Sequence, residues 1–375
     1  MNVLGIETSC DETAAAVVFN GTVVKSTIVA SQIEKHAGYG GVVPELAARE
    51  HIRNICPVVE TAFLESGLTA ADMDAVAVTH RPGLVPALLV GLSYAQGLAA
   101  AGGLPLIGVN HFLGHVYSCF MAAPDLLDSP REFPVVALVV SGGHTSLILL
   151  AADGKTVMLG RTLDDAAGEA FDKAAKILDL GYPGGPVIDR LAKNGDPGAV
   201  RFPRGLMGES GKPVAAEDRF NFSFSGIKTS LLYHVRDRDL SKQELLDVIA
   251  SYQESIVDVL VRKTVAAANE HDAGSILLCG GVACNSCLRD RFKEQTEASD
   301  RRLVIAPPKF CTDNAAMIAG LAYHYVEQGE IVDHAISANA RLAEELEDVP
   351  FTPLAPSRQA RKHRAEDDFP GDIDF

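Results

Sequence analysis

Two stretches of this chain follow one plan. "VLGIETSCDETAAAVVF", starting at Val3, is an apolar strand, a polar turn and a second apolar strand, and "VALVVSGGHTSLILL", starting at Val136, repeats it. A hairpin of this kind cannot bury its own apolar faces, so each copy needs further chain packed around it. The repetition predicts two related lobes. Both turns are rich in Ser, Thr, Gly or acid, so their amides and short hydroxyls could cradle a phosphate between the lobes. Two ordinary hairpins with no common purpose satisfy the same pattern.

The surrounding sequence alternates short apolar runs ("DAVAVT", "PLIGVN", "SILLCG", "LVIAPP") with helix-length segments, which predicts α/β lobes with mixed sheets. The boundaries expected are 1–133 for the first lobe, with a helix at 313–340 returning to it, and 134–312 for the second. Residues 345–375 read as a disordered charged tail. The uncharged run from Pro86 to Val109 is broken by Gly102, Gly103 and Pro105, so it predicts a buried helix followed by a strand and no membrane span. The N-terminus "MNVLGIETSC" lacks the basic region and cleavage site of a signal peptide, which reads as a cytoplasmic protein. Seven cysteines fit reduced thiols there. Cys284 and Cys287 form a CxxC with no second pair at zinc-finger spacing. A net charge of -16 excludes a general polyanion binder. Any RNA contact must use local basic groups, for which Arg201, Arg204, Arg289, Arg291, Arg301 and Arg302 are candidates.

Several clusters could carry chemistry. His111 and His115 in "GVNHFLGHV" stand four apart and share a helix face, as two metal ligands or two core histidines would. Asp313 in "FCTDN" is the best available third ligand, and two imidazoles plus a carboxylate leave open positions that suit catalytic zinc or ferrous iron. Either Asp313 or Asn314 is expected to cap the helix that follows. The turn "ETSCDET" gathers Glu7, Asp11 and Glu12, which are tolerated together when solvated or when something positive comes near. Ser141, Gly142 and Gly143 let a ligand approach the main chain. Gly280 and Gly281 lead from a buried strand to a helix beginning near Asn285, an anion-favouring arrangement. Glu169, Asp172 and Asp189 offer carboxylates to substrate hydroxyls or amines, and a solvated helix face would show the same spacing. There is no GxGxxG and no Walker A motif.

Taken in order, "GIETSCDET", "GGVVPELAAREH", "VNHFLGH", "LVVSGGHT", "DDAAGEAFDKAAKILDLGYPGGP", "FNFSFSGIKTSL", "GGVACNSCLR" and "FCTDNAAMIA" resemble the tRNA threonylcarbamoyladenosine synthesis transferase family, once described as O-sialoglycoprotein endopeptidases. The resemblance covers roughly residues 1 to 340. It implies an α/β fold of two actin-like, ribonuclease H-like lobes with a ligand and metal cleft between them. It implies one divalent metal, iron(II) in first place and zinc in second, on His111, His115 and Asp313. Threonylcarbamoyl-AMP would lie against Val139, Val140, Ser141, Gly142 and Gly143, with Asp172, Gly185, Asp189 and Asn285. Asp11 and Glu12 would serve the transfer to the exocyclic amine of adenosine 37 in tRNAs reading codons that start with A. The partners implied are tRNA, a catalytically inactive paralogue of the same fold and a small ATPase. The chain departs from the pattern at Leu113, where the family usually has Glu, and at Arg81, where it usually has Gly. A kinase or ATPase of the same superfamily is the alternative that the hairpins and glycine turn also allow. A zincin-type peptidase is disfavoured, because the glutamate it needs beside the first histidine is Phe112 here.

Overall fold

The computed structural model describes residues 1–208, 213–297, 299, 301–329, 336–340 and 346–355. The first sheet holds β1 (Asn2–Glu7), β2 (Glu12–Phe19), β3 (Val23–Ser31), β4 (Ala75–Arg81) and β5 (Leu106–Asn110) in the order β3-β2-β1-β4-β5. The second holds β6 (Val135–Val140), β7 (Thr145–Leu150), β8 (Thr156–Arg161), β9 (Ser275–Cys279) and β10 (Arg302–Ile305) in the order β10-β9-β6-β7-β8. In each, the opening strand sits at the centre, pairs antiparallel with the second strand of its hairpin and parallel with a later strand. The two sheets share one topology, as the repeated hairpin predicts. β3 and β8 complete each meander. Both are edge strands with half-exposed, partly polar residues, so neither shows as an apolar run.

The helices of the first half are α1 (Ile33–Ala37), α2 (Pro44–Ser66), α3 (Val85–Gly102) and α4 (His111–Ala122). Then come α5 (Ala167–Ile177), α6 (Gly184–Ala192), α7 (Ser225–Val235), α8 (Lys242–Glu270), α9 (Ser286–Glu297), α10 (Pro308–Cys311) and α11 (Ala315–Glu327). α4 is buried from His111 through Met121 and packs against strands of both sheets. An all-round apolar helix belongs at such a centre. α11 returns to the first sheet and crosses β1 so closely that a Cβ on Gly5 would stand 2.3 Å from the Ala315 carbonyl oxygen. α3 corrects the expectation of a wholly buried helix: Leu88, Gly91, Leu92, Ala95 and Ala99 face inward, but Leu89 is 47% exposed. Among the described residues it is the one helix long and apolar enough to cross a membrane, and it lies on β4 and α2.

The expected disordered tail is also corrected, over residues 346–355. Val349 and Phe351 are buried, and the backbone of Val349 and Leu354 donates to the carbonyls of Gly154 and Ala152 at 2.8 Å. Glu347 pairs with Arg81. The Phe351 ring stands 5.1 Å from Tyr117 and 4.9 Å from Phe120 of α4. Two apolar anchors plus main-chain bonds suffice to dock an extended strap, and composition does not reveal either. The rest of the proposed tail, from 356 on, lies outside the described residues.

His324 lies under this strap with Nε2 2.8 Å from the Tyr117 hydroxyl, and burial pushes its pKa down to about 4. As pH falls, the unfolded chain therefore takes up this proton before the folded one. The stabilising contribution is complete above about 6.5 and is lost as pH drops from there toward 4. Urea midpoints at pH 7 and pH 4.5 should show the wild type losing about 1–3 kcal/mol more than His324→Phe over that window. Equal losses would mean that the ring is already charged in the fold.

Candidate active site and metal centre

Asn110 ends β5 and caps α4, its side chain accepting from the Phe112 amide at 3.0 Å, so the histidines occupy the first two turns. Their rings meet edge-on with centroids 4.7 Å apart. Asp313 arrives from the other end of the chain. Asn314 takes the cap of α11, accepting from Met317 at 3.0 Å, which leaves the Asp313 carboxylate free of that duty. Asp313 Oδ1 lies 3.4 Å from His111 Nε2 and 3.2 Å from His115 Nε2. Ligands roughly 2.0–2.1 Å from a shared tetrahedral metal stand about 3.3 Å apart, so both separations fit. The three ligand atoms lie within 4.8 Å of one another, and no other such group occurs among the described residues. Burial alone would raise the Asp313 carboxyl and lower both imidazoles. The charges and hydrogen bonds of the histidines hold Asp313 well below its usual value, and Asp313 and Glu7 hold His111 above its own. His115 stays lowered by burial. The triad can therefore hold a divalent metal.

The acid turn is not solvated. Asp11 is 8% exposed, and Glu12 is pushed up to about 9 by burial and then by the charges of Asp313 and Asp11. A cavity of about 470 Å³ brings Asp11, Glu12, His111 and Asp313 together with the Ser141–Gly143 turn of the other lobe. His144 also lines it, and burial, with the neighbouring charges of His111 and His115, pushes this ring down to about 4, so it is neutral at pH 7. Arg81 is turned away into its pair with Glu347, while Pro82 and Gly83 reach the cavity wall.

Sequence reasoning missed what holds the turn in place. His51, from the "AAREH" stretch of α2, is buried, and its Nε2 lies 3.0 Å from the Cys10 carbonyl, so that nitrogen must donate. Its Nδ1 then accepts from the Thr13 hydroxyl at 2.8 Å. Burial lowers its pKa and keeps the ring neutral. One imidazole thus clamps both sides of Asp11 and Glu12. Misplacing reacting groups by about 1 Å can cost roughly 100-fold. His51→Phe should therefore slow single-turnover transfer roughly 10- to 100-fold with metal content unchanged, and a wild-type rate would show that the clamp is not needed. A histidine about a third of the way along a long helix carries no signal of this role in sequence.

The remaining expected residues divide. Val139 and Val140 are buried in β6, so only their main chain can reach a ligand. Asp172, Gly185, Asp189 and Asn285 stand outside the cavity wall and bind one another's elements. Asp172 accepts from the Gly184 amide at 2.7 Å at the start of α6. Asp189, from α6, accepts from the Ser286 amide and hydroxyl at 3.1 and 2.8 Å at the start of α9. Asn285 accepts from Leu288 at 2.9 Å and donates to Gln253 at 2.8 Å. They therefore order two adjacent helix N-termini. Of the arginines considered for RNA, Arg289 is occupied by the carbonyls of Ala283 and Ala306, Arg301 by that of Ala273, Arg204 by Asp258, Arg291 by Glu254 and Arg302 by Asp125. Arg201 is exposed.

Two lobes of one plan, with buried carboxylates, a glycine turn and a His-His-Asp group that could hold a metal gathered at one cavity, define a two-lobed α/β protein with a candidate active site between its sheets. A profile described as tRNA N6-adenosine threonylcarbamoyltransferase matches residues 23–320. A protein of that name from Syntrophus aciditrophicus is 49% identical over 343 residues, 91% of this chain and 97% of its own length. One from Symbiobacterium thermophilum is 50% identical over 339 residues, 90% and 95%. The crystal structure of T. kodakarensis HypF, 14% identical, matches 87% of this chain and 48% of its own with a TM-score of 0.58, a likeness of fold alone. The chain belongs to the tRNA N6-adenosine threonylcarbamoyltransferase family. Its activity is transfer of a threonylcarbamoyl group to N6 of a tRNA adenosine, and the relatives support neither a kinase nor a peptidase.

Proposed function

We infer that the cavity between the acid turn and Ser141–Gly143 is where the transfer takes place. The observation that carries this reading is the meeting of Asp313 with both histidines at a cavity whose wall presents His111 and Asp313 together with Asp11 and Glu12. Threonylcarbamoyl-AMP lies along the main chain of Val139, Val140, Ser141, Gly142 and Gly143, with the amides of Gly142 and Gly143 toward its phosphate, since the Ser141 amide is engaged by the His144 carbonyl. Its adenosine end extends toward Asp172, Gly185, Asp189 and Asn285. The N6 amine of the tRNA adenosine attacks the carbamoyl carbon, a C–N bond forms, the C–O bond to the phosphate breaks and AMP leaves. Asp11 accepts the proton that the amine gives up. Glu12, protonated up to about pH 9 in the metal-free cavity, offers an O–H donor beside it. His111, His115 and Asp313 hold one divalent metal, and a nitrogen-rich set with open positions suits iron(II) first and zinc second. Such a metal supplies Lewis-acid polarisation of a carbonyl or phosphoryl oxygen.

The setting is the cytoplasm. The charge of -16 and the engagement of most candidate arginines make stand-alone tRNA affinity weak, so the inactive paralogue and the small ATPase assist. Chelator-treated protein, assayed with those partners and saturating adenylate, should lose transfer and regain it on addition of iron(II) or zinc. Undiminished transfer after metal removal would end the metal reading. Tight tRNA binding by the isolated chain at physiological salt would end the partner reading.

A further inference from the structure

We propose that Glu7 is a positioning residue for the transfer, its buried carboxylate fixing His111 in the tautomer and ring orientation that leave Nε2 free to face Asp313. The proposal rests on the reading of His111, His115 and Asp313 as metal ligands. Glu7 ends β1 and is fully buried. Its Oε2 lies 2.9 Å from His111 Nδ1 and accepts from the Thr79 hydroxyl of β4 at 2.5 Å, while Oε1 accepts from the Ser9 amide at 2.5 Å. Two neighbouring parallel strands therefore aim this carboxylate. An ionised carboxylate can only accept, so Nδ1 of His111 keeps its proton, and Nε2, turned to Asp313, is the nitrogen that would give up its proton when a metal binds. The Ser9 hydroxyl, 3.2 Å from the same Nδ1, lies within reach of the same N–H.

The other histidine is built differently. His115 Nδ1 is buried with no hydrogen-bond partner among the described residues, so packing and the contact of Nε2 with Asp313 set that ring. Leu113, where the family pattern that the sequence resembles usually has Glu, is buried in the apolar core and reaches no ligand. The support that a metal-bound imidazole ordinarily draws from a carboxylate comes in this chain from β1, for His111 alone. Among the described residues, the carboxylate of Glu7 is bonded by Ser9, Thr79 and His111 and by no lysine or arginine. A buried carboxylate is costly unless compensated, and here the compensation comes through His111 and the cation that it would hold.

The test uses the full chain loaded with cobalt(II), whose affinity is read by competition with a chelating dye and whose ligand geometry is read from its visible d–d bands. Glu7→Gln keeps the shape and removes the charge. It should weaken cobalt binding roughly 10- to 100-fold and shift the bands, with the thermal midpoint of metal-free protein close to wild type. Thr79→Val keeps the charge and should give a smaller loss. Wild-type affinity and bands in Glu7→Gln, beside loss of metal in His111→Ala, would overturn the proposal while sparing the metal reading. Retained cobalt in His111→Ala would overturn both. Should Glu7→Gln fail to fold, nitrogen NMR of the zinc-loaded wild type decides: a His111 ring protonated at Nδ1 is expected, and one protonated at Nε2 overturns the proposal.

Discussion

Asp313→Asn should fold, bind no metal and lose transfer. The carboxylate is the one group that touches both imidazoles, at 3.4 and 3.2 Å, and its charge, with that of Glu7, holds His111 above its ordinary value. The amide is nearly isosteric, and Asn314 rather than Asp313 caps α11, so the helix start is untouched. Losing a partner that merely supports a ligand costs roughly 10- to 100-fold in metal affinity, and losing a ligand costs more. The measurement is metal per chain after gel filtration, set beside single-turnover transfer. Full metal content in a folded variant would show that the triad is an ordinary buried polar cluster. His111→Ala and His115→Ala test the same point less cleanly, because both rings are buried and each truncation also opens a cavity in α4.

Asp11→Asn should retain metal and adenylate and lose transfer by about 100- to 10,000-fold, the span typical of general acid–base groups. A turn that was simply solvated would tolerate this change without cost. The fold shows otherwise: Asp11 is 8% exposed beside Glu12 and opposite the glycine turn. Removing a negative charge from this crowded group should also ease the repulsion that keeps Glu12 high, so stability is expected to hold or rise slightly. Single-turnover transfer with saturating adenylate, run beside an adenylate-binding assay, separates the outcomes. A wild-type rate would move the proton acceptor to another group.

Much of this architecture is legible in the sequence because continuous apolar runs report strands buried on both faces. β1, β4, β6 and β9 are all of that kind. β3 and β8 escape because an edge strand wets one side, and the strap at 346–355 escapes because its bonds are main-chain bonds. The site was legible as residue types but not as a division of labour. Spacing puts His111 and His115 on one face, yet nothing in it says that Glu7 reaches Nδ1 or that His51 reaches Cys10, since both contacts join the first hairpin to helices well along the chain. Asp172, Asp189 and Asn285 read alike as ligand groups from sequence, whereas in the fold each is tied to a helix start.

The return of α11 to the first sheet also has a meaning for synthesis. A ribosome delivers His115 198 residues before Asp313. At about 5–20 residues per second that gap lasts roughly 10 to 40 s. Throughout it, the emerging chain holds a sheet whose Gly5 strand lacks its covering helix and a pair of imidazoles without their carboxylate. A product cut short anywhere in the second lobe therefore lacks both the cover and the third ligand, so it exposes apolar surface to proteolysis and cannot assemble the complete metal-binding triad. Covering of the first sheet and completion of the triad coincide, which makes metal content a readout of translation past α11.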